Sequence, residues 1–227
     1  MNEPAGIWKY VRGFENMSLC DWPGRTTCII FLGGCNLRCP TCHNYQLAWD
    51  MHSLPELDPT AIKAYIRNRA EWLDGVTVTG GEPTIAPGVG ELIWEIKKTG
   101  LPVKVDTNGM RPEVVLDLMQ DNLADTFAVD VKGPWHKYPA LTGGAVSELA
   151  AKRNLNRIFE LAEARPEMFY FRCTRVPGLT DIDLATVRDY LPPTHELTIQ
   201  KYVPPRRKPE NAKPNHEERR PAGNVVN

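Results

Sequence analysis

Short apolar runs alternate with amphipathic stretches along most of this chain. Six runs have strand length, are rich in β-branched or aromatic residues, and end in glycine, proline or polar residues. We predict strands at Thr26–Leu32, Val76–Thr79, Leu101–Asp106, Thr126–Val131, Phe169–Arg175 and Leu197–Tyr202. Helical patterns separate them at about Asp58–Leu73, Gly90–Thr99, Pro112–Asn122, Val146–Ala164 and Asp183–Leu191.

Strands that alternate with helices form βαβ units and therefore a parallel sheet. Six units predict a partial (β/α)6 barrel with parallel strands, and an open doubly wound sheet is the alternative. Both folds place functional residues at the carboxyl ends of the strands. We expect this domain to cover residues 1–203, followed by a Pro-rich, charged and flexible tail at 204–227.

The amino-acid composition limits the classes of protein to which this chain can belong. The chain has 227 residues, 42% of them hydrophobic and 24% charged, with a net charge of -1. This balance is typical of a globular protein and gives no general attraction for nucleic acid or membranes. No apolar run approaches the roughly 20 residues that span a bilayer, and no secretory signal is visible. We therefore expect a cytoplasmic protein with no membrane or nucleic-acid partner.

The most informative motif is a cysteine loop directly after the first predicted strand. Cys35, Cys39 and Cys42 have C-x3-C-x2-C spacing. In a reducing compartment, three thiols within eight residues indicate metal binding rather than disulfides. A four-iron cluster normally takes four cysteines, so three would leave one iron open for chemistry. The alternative is a structural zinc site with His43 or a distant cysteine as the fourth ligand.

The other three cysteines lie apart from this loop in the sequence. We expect them in strands or in the core, because an unligated cysteine behaves as a small hydrophobic residue. They are Cys20, Cys28 and Cys173.

The cysteine loop resembles the cluster motif of the radical S-adenosylmethionine (SAM) superfamily. The segment Gly80-Gly81-Glu82-Pro83, after the second predicted strand, resembles the motif with which that superfamily binds the methionine amine. The resemblance implies a [4Fe-4S] cluster whose open iron chelates SAM. It further implies reductive cleavage of SAM to a 5′-deoxyadenosyl radical, with Gly80, Gly81 and Glu82 holding the methionine ammonium.

Several further segments are similar to the activating enzymes of glycyl-radical enzymes. These segments are Asp21–Arg25, Cys42–Asn44, Asp106–Gly109, Asp130–Lys132 and Arg172. The resemblance implies that Lys132 and Arg172 contact the carboxylate of SAM. Asp106, Thr107 and Asp130 would surround a monovalent cation, and Asn108 would belong to the same cofactor-binding set.

The same resemblance implies two protein partners. No cysteine lies between Asn44 and Gly75, so an additional ferredoxin-like insert is absent and the electron would come from flavodoxin or ferredoxin. Two segments, 19–24 and 171–180, are most similar to activating proteins of anaerobic ribonucleotide reductase. The expected partner is therefore such a glycyl radical enzyme. The alternatives are a radical SAM enzyme acting on a small molecule, peptide or nucleic acid, and a non-catalytic iron–sulfur or zinc module.

One position departs from the family pattern. Many relatives have an aromatic residue before the third cysteine, where it packs on adenine, but this chain has Thr41. Tyr45 and Tyr202 are candidate replacements or ordinary packing residues. Asp21 is a candidate for receiving the partner loop or a simple turn residue, and the basic tail at 206–220 either touches the partner or is solvated.

Overall fold

The computed structural model describes residues 6–204. Within this range, no helix is both long and apolar enough to cross a membrane. The predicted tail at 204–227 lies outside the described residues except for its first residue, Pro204.

A single seven-stranded sheet forms the centre of the part of the chain that the structure describes. Its strand order follows the sequence, β1-β2-β3-β4-β5-β6-β7, and all neighbours from β2 to β7 are parallel. The strands are β1 Val11–Ser18, β2 Thr27–Leu32, β3 Gly75–Gly80, β4 Val103–Thr107, β5 Thr126–Asp130, β6 Phe169–Arg175 and β7 Leu197–Lys201.

Strand β1 was not predicted. It pairs antiparallel with β2, and its register breaks between Val11 and Gly13 and again between Glu15 and Ser18. These irregularities remove the alternation of buried and exposed residues on which the sequence prediction depended.

Between residues 6 and 204, seven α-helices connect or flank the strands. The five predicted helices are present with ends that differ by no more than about one turn, and two short helices, α1 and α5, were missed. The helices are α1 Tyr45–Trp49, α2 Pro59–Arg69, α3 Val89–Lys97, α4 Pro112–Gln120, α5 Tyr138–Leu141, α6 Glu148–Ala164 and α7 Asp181–Arg188.

The strand order confirms the partial barrel. A doubly wound sheet reverses its strand order at a switch point, whereas this order never reverses. Right-handed crossovers in one direction place all helices on one face, and the sheet then curls around its other face. Within the described residues β1 and β7 do not pair, so the barrel stays open between them.

The two faces of the sheet differ in chemistry. Residues that point toward the helices are apolar and fully buried, as Val105 on β4 and Phe127 on β5 show. Residues of the opposite parity are largely polar and include Lys104, Asp106 and Arg172. Because side chains alternate along a strand, the hydrophobic core lies between sheet and helices, and the polar groups face the barrel interior.

An ion pair links the segment after β5 to helix α7, which follows β6. Lys137 donates to the carboxylate of Asp183 at 2.7 Å and to the Gly178 carbonyl at 2.9 Å. The Thr180 amide and hydroxyl also donate to Asp183, in a capping box at the start of α7. These contacts, with Lys137 first, lower the pKa of Asp183 to about 2.

We expect Asp183→Asn to be destabilising at neutral pH and less so in acid. Because the folded state lowers the pKa of Asp183, its stabilising effect is complete above the unfolded value of about 4 and disappears as pH falls toward 2. Urea unfolding at several pH values measures the difference from the parent. The control is Asp181→Asn, an exposed carboxylate on the same helix. A difference for Asp183→Asn that stays constant between pH 6 and pH 3 would contradict this explanation.

Candidate active site

The carboxyl ends of the parallel strands surround a cavity of about 270 Å³. All three motif cysteines and all eight residues predicted to bind the cofactor line it. The predicted residues are Cys35, Cys39, Cys42, Gly80, Gly81, Glu82, Asp106, Asn108, Asp130, Lys132 and Arg172. Residues from the ends of four strands, β3 to β6, and from the cysteine loop after β2 therefore meet at one place, although the sequence separates them by more than a hundred positions.

The cysteine loop after β2 is held by contacts to other segments. The Arg38 amide donates to the Thr142 carbonyl at 3.0 Å, and the Trp49 indole donates to the Leu37 carbonyl at 3.1 Å. A Cβ atom on Gly143 would lie 2.2 Å from the Arg38 carbonyl oxygen, so the backbone approaches the loop closely there. The loop conformation is therefore set by several segments of the fold.

Two of the three cysteines outside the loop lie where we expected them. Cys28 and Cys173 are buried in β2 and β6, as expected. Cys20 is exposed in the connection between β1 and β2, so its assignment to a strand or the core is wrong. None of the six cysteines, all within the described range, forms a disulfide.

Burial makes two thiols of the loop, Cys35 and Cys39, weaker acids than free cysteine. It raises the pKa of Cys35 to about 12, although the Leu37 amide acts in the opposite direction. Burial also raises the pKa of Cys39, and the nearby Lys132 ammonium partly offsets it. Metal ligation requires thiolates, so loading the site releases protons.

The donor set fits an iron–sulfur cluster. Three thiols on one cavity wall are the ligands that cysteine-ligated clusters use. Among residues 6–204 there is no group of three or more histidine, cysteine or carboxylate side chains arranged to hold a single metal ion.

The Gly80-Gly81 pair allows β3 to pass against the start of the cysteine loop. A Cβ atom on Gly81 would lie 1.9 Å from the carbonyl oxygen of Gly34, and one on Gly80 would lie 2.3 Å from that of Leu32. Gly80 also has a positive φ of 125°, which side chains disfavour. The side-chain amide of Asn44 donates to the Gly80 carbonyl at 3.0 Å. The glycines are therefore required by backbone packing as well as by the predicted ligand.

Glu82 is buried and accepts four hydrogen bonds. Its Oε1 accepts from the Thr84 amide, the Thr84 hydroxyl and the Thr107 hydroxyl at 2.5–3.2 Å, and its Oε2 accepts from the Asn108 amide at 2.7 Å. Burial raises the pKa of Glu82, and these donors counteract the shift. Glu82 thus connects the ends of β3 and β4, a role that the sequence did not indicate.

We expect Glu82→Gln to lower stability without any cofactor. The new amide nitrogen cannot accept, so at least one buried donor among these four loses its partner, which costs about 1–3 kcal/mol. Urea unfolding of cofactor-free protein measures the change. Glu91→Gln on α3 is the control, since Glu91 is exposed. Unchanged stability would show that Glu82 contributes only to ligand binding.

Five charged side chains form a continuous row across β4, β5 and β6, which we call the charge row. Lys104 pairs with Asp106, and Arg172 lies 3.5 Å from Asp106 and 2.9 Å from Asp130. Asp130 also accepts from Lys132 at 3.0 Å. Burial alone would raise the pKa of Asp130, but Lys132 and Arg172 lower it to about 2. The row holds three cations and two carboxylates.

Lys104 is the one member of the charge row that was not predicted from the sequence. Its side chain has 0% exposure, and it donates to the carboxylate that was expected to border a monovalent cation. The signal was present, because Lys104 lies two residues before Asp106 in the same strand and therefore on the same face. Asn36 was also missed, and its side chain accepts from Asn108 at 2.8 Å.

The candidate adenine and partner contacts lie outside the cavity lining. Thr41 lines the cavity, whereas Tyr45, Tyr202 and Asp21 do not. The Tyr202 ring packs edge-on against His43 with centroids 6.0 Å apart. The roles suggested for these residues remain predictions.

Comparison with known sequences gives a consistent family. The profile of the radical SAM superfamily matches residues 29–191. A candidate glycyl-radical enzyme activating enzyme of Methanocaldococcus jannaschii is 32% identical over 174 residues, covering 75% of this chain and 70% of that protein. The pyruvate formate-lyase-activating enzyme of Clostridium pasteurianum is 28% identical over 213 residues, covering 85% of this chain and 84% of that protein.

Solved structures share the fold at low sequence identity. A TYW1 structure with a lysine-pyruvate adduct matches 80% of this chain with a TM-score of 0.55 and 16% identity. The anSMEcpe structure with bound AdoMet matches 76% with a TM-score of 0.54 and 16% identity. This chain spans 66% and 50% of those two chains, respectively.

Proposed function

This chain belongs to the radical SAM superfamily, and from that membership we propose that it installs a glycyl radical on a partner enzyme. The family uses a [4Fe-4S] cluster and SAM. The proposal is supported by two activating-enzyme relatives that each match three quarters or more of this chain. The predicted cytoplasmic location and the identity of the partner belong to the proposal as well.

One observation carries the proposal. The three thiols of the cysteine loop line the same cavity as the eight residues predicted to bind SAM. When bound by Cys35, Cys39 and Cys42, a [4Fe-4S] cluster supplies an open iron and the electron that cleaves SAM to methionine and a 5′-deoxyadenosyl radical. The remaining steps concern how this chain holds and orients SAM.

The cavity offers complementary groups to the two ends of the methionine moiety. Lys132 and Arg172 are the cations that line it, and we assign the methionine carboxylate to them. The backbone of Gly80 and Gly81 and the Oε2 atom of Glu82 are acceptors, and we assign the ammonium to them. Oε2 accepts only one hydrogen bond among the described residues, so it retains capacity for a ligand donor.

The proposed partner is a protein because the relatives that cover most of this chain are named as activating enzymes. The barrel is open between β1 and β7 within the described residues. We propose that a glycine-bearing loop of the partner enters there and that the partner is an anaerobic ribonucleotide reductase. Flavodoxin or ferredoxin is the proposed electron donor.

A small-molecule substrate is the second candidate. The 7-carboxy-7-deazaguanine synthase of Neisseria meningitidis is 30% identical over 106 residues, although this covers only 46% of the chain. The shorter match makes this the weaker proposal. None of the relatives named above favours the remaining alternative, a non-catalytic zinc or iron–sulfur module.

The test is anaerobic reconstitution with iron and sulfide, followed by dithionite and SAM. We expect 5′-deoxyadenosine, and a glycyl radical by electron paramagnetic resonance when an anaerobic ribonucleotide reductase is added. A reductase whose target glycine is changed to alanine is the control and should show no radical. Product without a radical in any glycyl-radical enzyme tested would favour the small-molecule proposal. Zinc as the only bound metal, with no product, would exclude both.

A further inference from the structure

Lys104 is a buried cation to which the proposed function assigns no role. It lies on β4 with no exposed side-chain surface, and its ammonium pairs with Asp106. Building on the proposed function, we propose that Lys104 is a positioning residue that gives the SAM carboxylate site its excess positive charge. It acts through Asp106 and Arg172 and makes an added monovalent cation unnecessary.

The charge row explains how a distant lysine affects the ligand. Lys104 and Arg172 share Asp106, while Arg172 and Lys132 share Asp130. Within this row, three cations against two carboxylates leave one positive charge in excess, and Asp21 is a further carboxylate whose charge acts on Lys104 from outside the row. Without Lys104 the two carboxylates would balance Arg172 and Lys132, and the row would have no net charge left for a ligand carboxylate. A partly buried anion needs such compensation.

The oxygens expected to coordinate a monovalent cation already have partners. Asp106 is paired with Lys104 and Arg172, and Asp130 with Arg172 and Lys132. The Thr107 hydroxyl donates to Glu82 at 2.7 Å. The ammonium of Lys104, which belongs to the protein itself, therefore provides the positive charge that a bound monovalent cation would otherwise provide.

Burial lowers the pKa of Lys104, and the Asp106 carboxylate, which holds its ammonium, acts in the opposite direction. Its Nζ lies 5.9 Å from the centroid of the Tyr170 ring, a distance at which the ring face attracts an ammonium. Thr77 is its register partner on β3, and the buried Thr77 hydroxyl has no hydrogen-bond partner within the described structure. An ammonium has three donors, and the neighbouring strand thus contains a further acceptor.

The experiment compares Lys104→Met, the double variant Lys104→Met/Asp106→Asn, and the control Lys97→Met. Lys97 makes a comparable ion pair with Asp125 at 2.7 Å, near the amino end of the same strand. Each protein is reconstituted anaerobically, and its dissociation constant for SAM is measured in choline chloride and in potassium chloride. Unfolding temperatures of the proteins without SAM, in the same salts, provide a second measurement.

We expect Lys104→Met to bind SAM about tenfold more weakly in choline, because one charge within the row is lost. Potassium, which can approach the Asp106 oxygen that Lys104 no longer contacts, should restore part of the affinity and raise the unfolding temperature. The double variant should regain part of the affinity that Lys104→Met loses and should no longer distinguish the two salts, because removing one cation and one carboxylate restores the excess charge. The parent and Lys97→Met should not distinguish the two salts.

Two results would overturn the inference while leaving the proposed function intact. One is a Lys104→Met protein that binds SAM as tightly as the parent in choline. The other is a loss of affinity that the double variant does not recover, which would show that Lys104 acts by packing. If Lys104→Met does not fold, the double variant decides, since it leaves no unpaired buried charge. A parent that does not bind SAM at all would overturn the proposed function together with the inference.

Discussion

Cys39→Ala is expected to abolish SAM cleavage and to lower the iron bound by the reconstituted protein. Cys39 is the central of three thiols on the cavity wall, so its loss leaves two. Removing even an outer partner of a metal ligand typically costs about 10–100-fold in metal affinity. Losing one of three direct ligands should cost more, and 5′-deoxyadenosine should fall to the level of a sample without protein.

The matched control for this prediction is Cys20→Ala. It removes a thiol of the same chemistry from an exposed position that does not line the cavity. Iron content, the visible absorption of the cluster and product formation should all match the parent. Full iron content and full activity in Cys39→Ala would show that the cluster is held by other residues, and the proposed site would be wrong.

Gly81→Ala is expected to disrupt the site through the backbone. The added methyl group would lie 1.9 Å from the Gly34 carbonyl oxygen, which accepts a 2.8 Å hydrogen bond from the Glu82 amide. Neither partner is a flexible side chain, so the start of the cysteine loop or the end of β3 must move. Overpacking of this kind costs about 1–3 kcal/mol of stability, and SAM affinity should fall together with it.

Gly90→Ala adds the same methyl group where there is room. Its Cβ would meet the ends of two flexible side chains, Leu123 at 3.4 Å and Leu118 at 3.9 Å, and alanine favours the helix in which Gly90 lies. Unfolding free energy and SAM affinity should equal or slightly exceed those of the parent. If Gly81→Ala behaves like Gly90→Ala in both measurements, the close approach of β3 to the cysteine loop has no functional importance.

The parallel part of the fold could be predicted because its signals are local. Each of β2 to β7 is a short apolar run followed by a turn, and each helix between them has a matching period. Strand β1 lacked such a signal, since its register breaks twice and six of its eight residues are exposed or half-buried. Pairing with β2, rather than its own pattern, makes it a strand.

The positions that come together at the candidate site were predictable wherever a motif names its residues. The cysteine loop and the strand-end segments gave eleven positions, and all of them line one cavity. The contacts among those residues were not predictable. Glu82 accepts hydrogen bonds from the end of β4, and Lys104 pairs with Asp106. Both contacts depend on distances that the sequence does not specify.

The irregular pairing of β1 also bears on self-association. A free sheet edge offers unpaired amides and carbonyls on which the strand of another molecule can assemble, which is a common route to aggregation. Here the Tyr65 hydroxyl of α2 donates to the Asn16 carbonyl at 2.9 Å, and Glu15 places an exposed charge beside it. Register breaks, an occupied acceptor and a charge together make this edge a poor template. The irregular pairing that removed the periodic pattern of β1 therefore also protects this edge of the open barrel from polymerising.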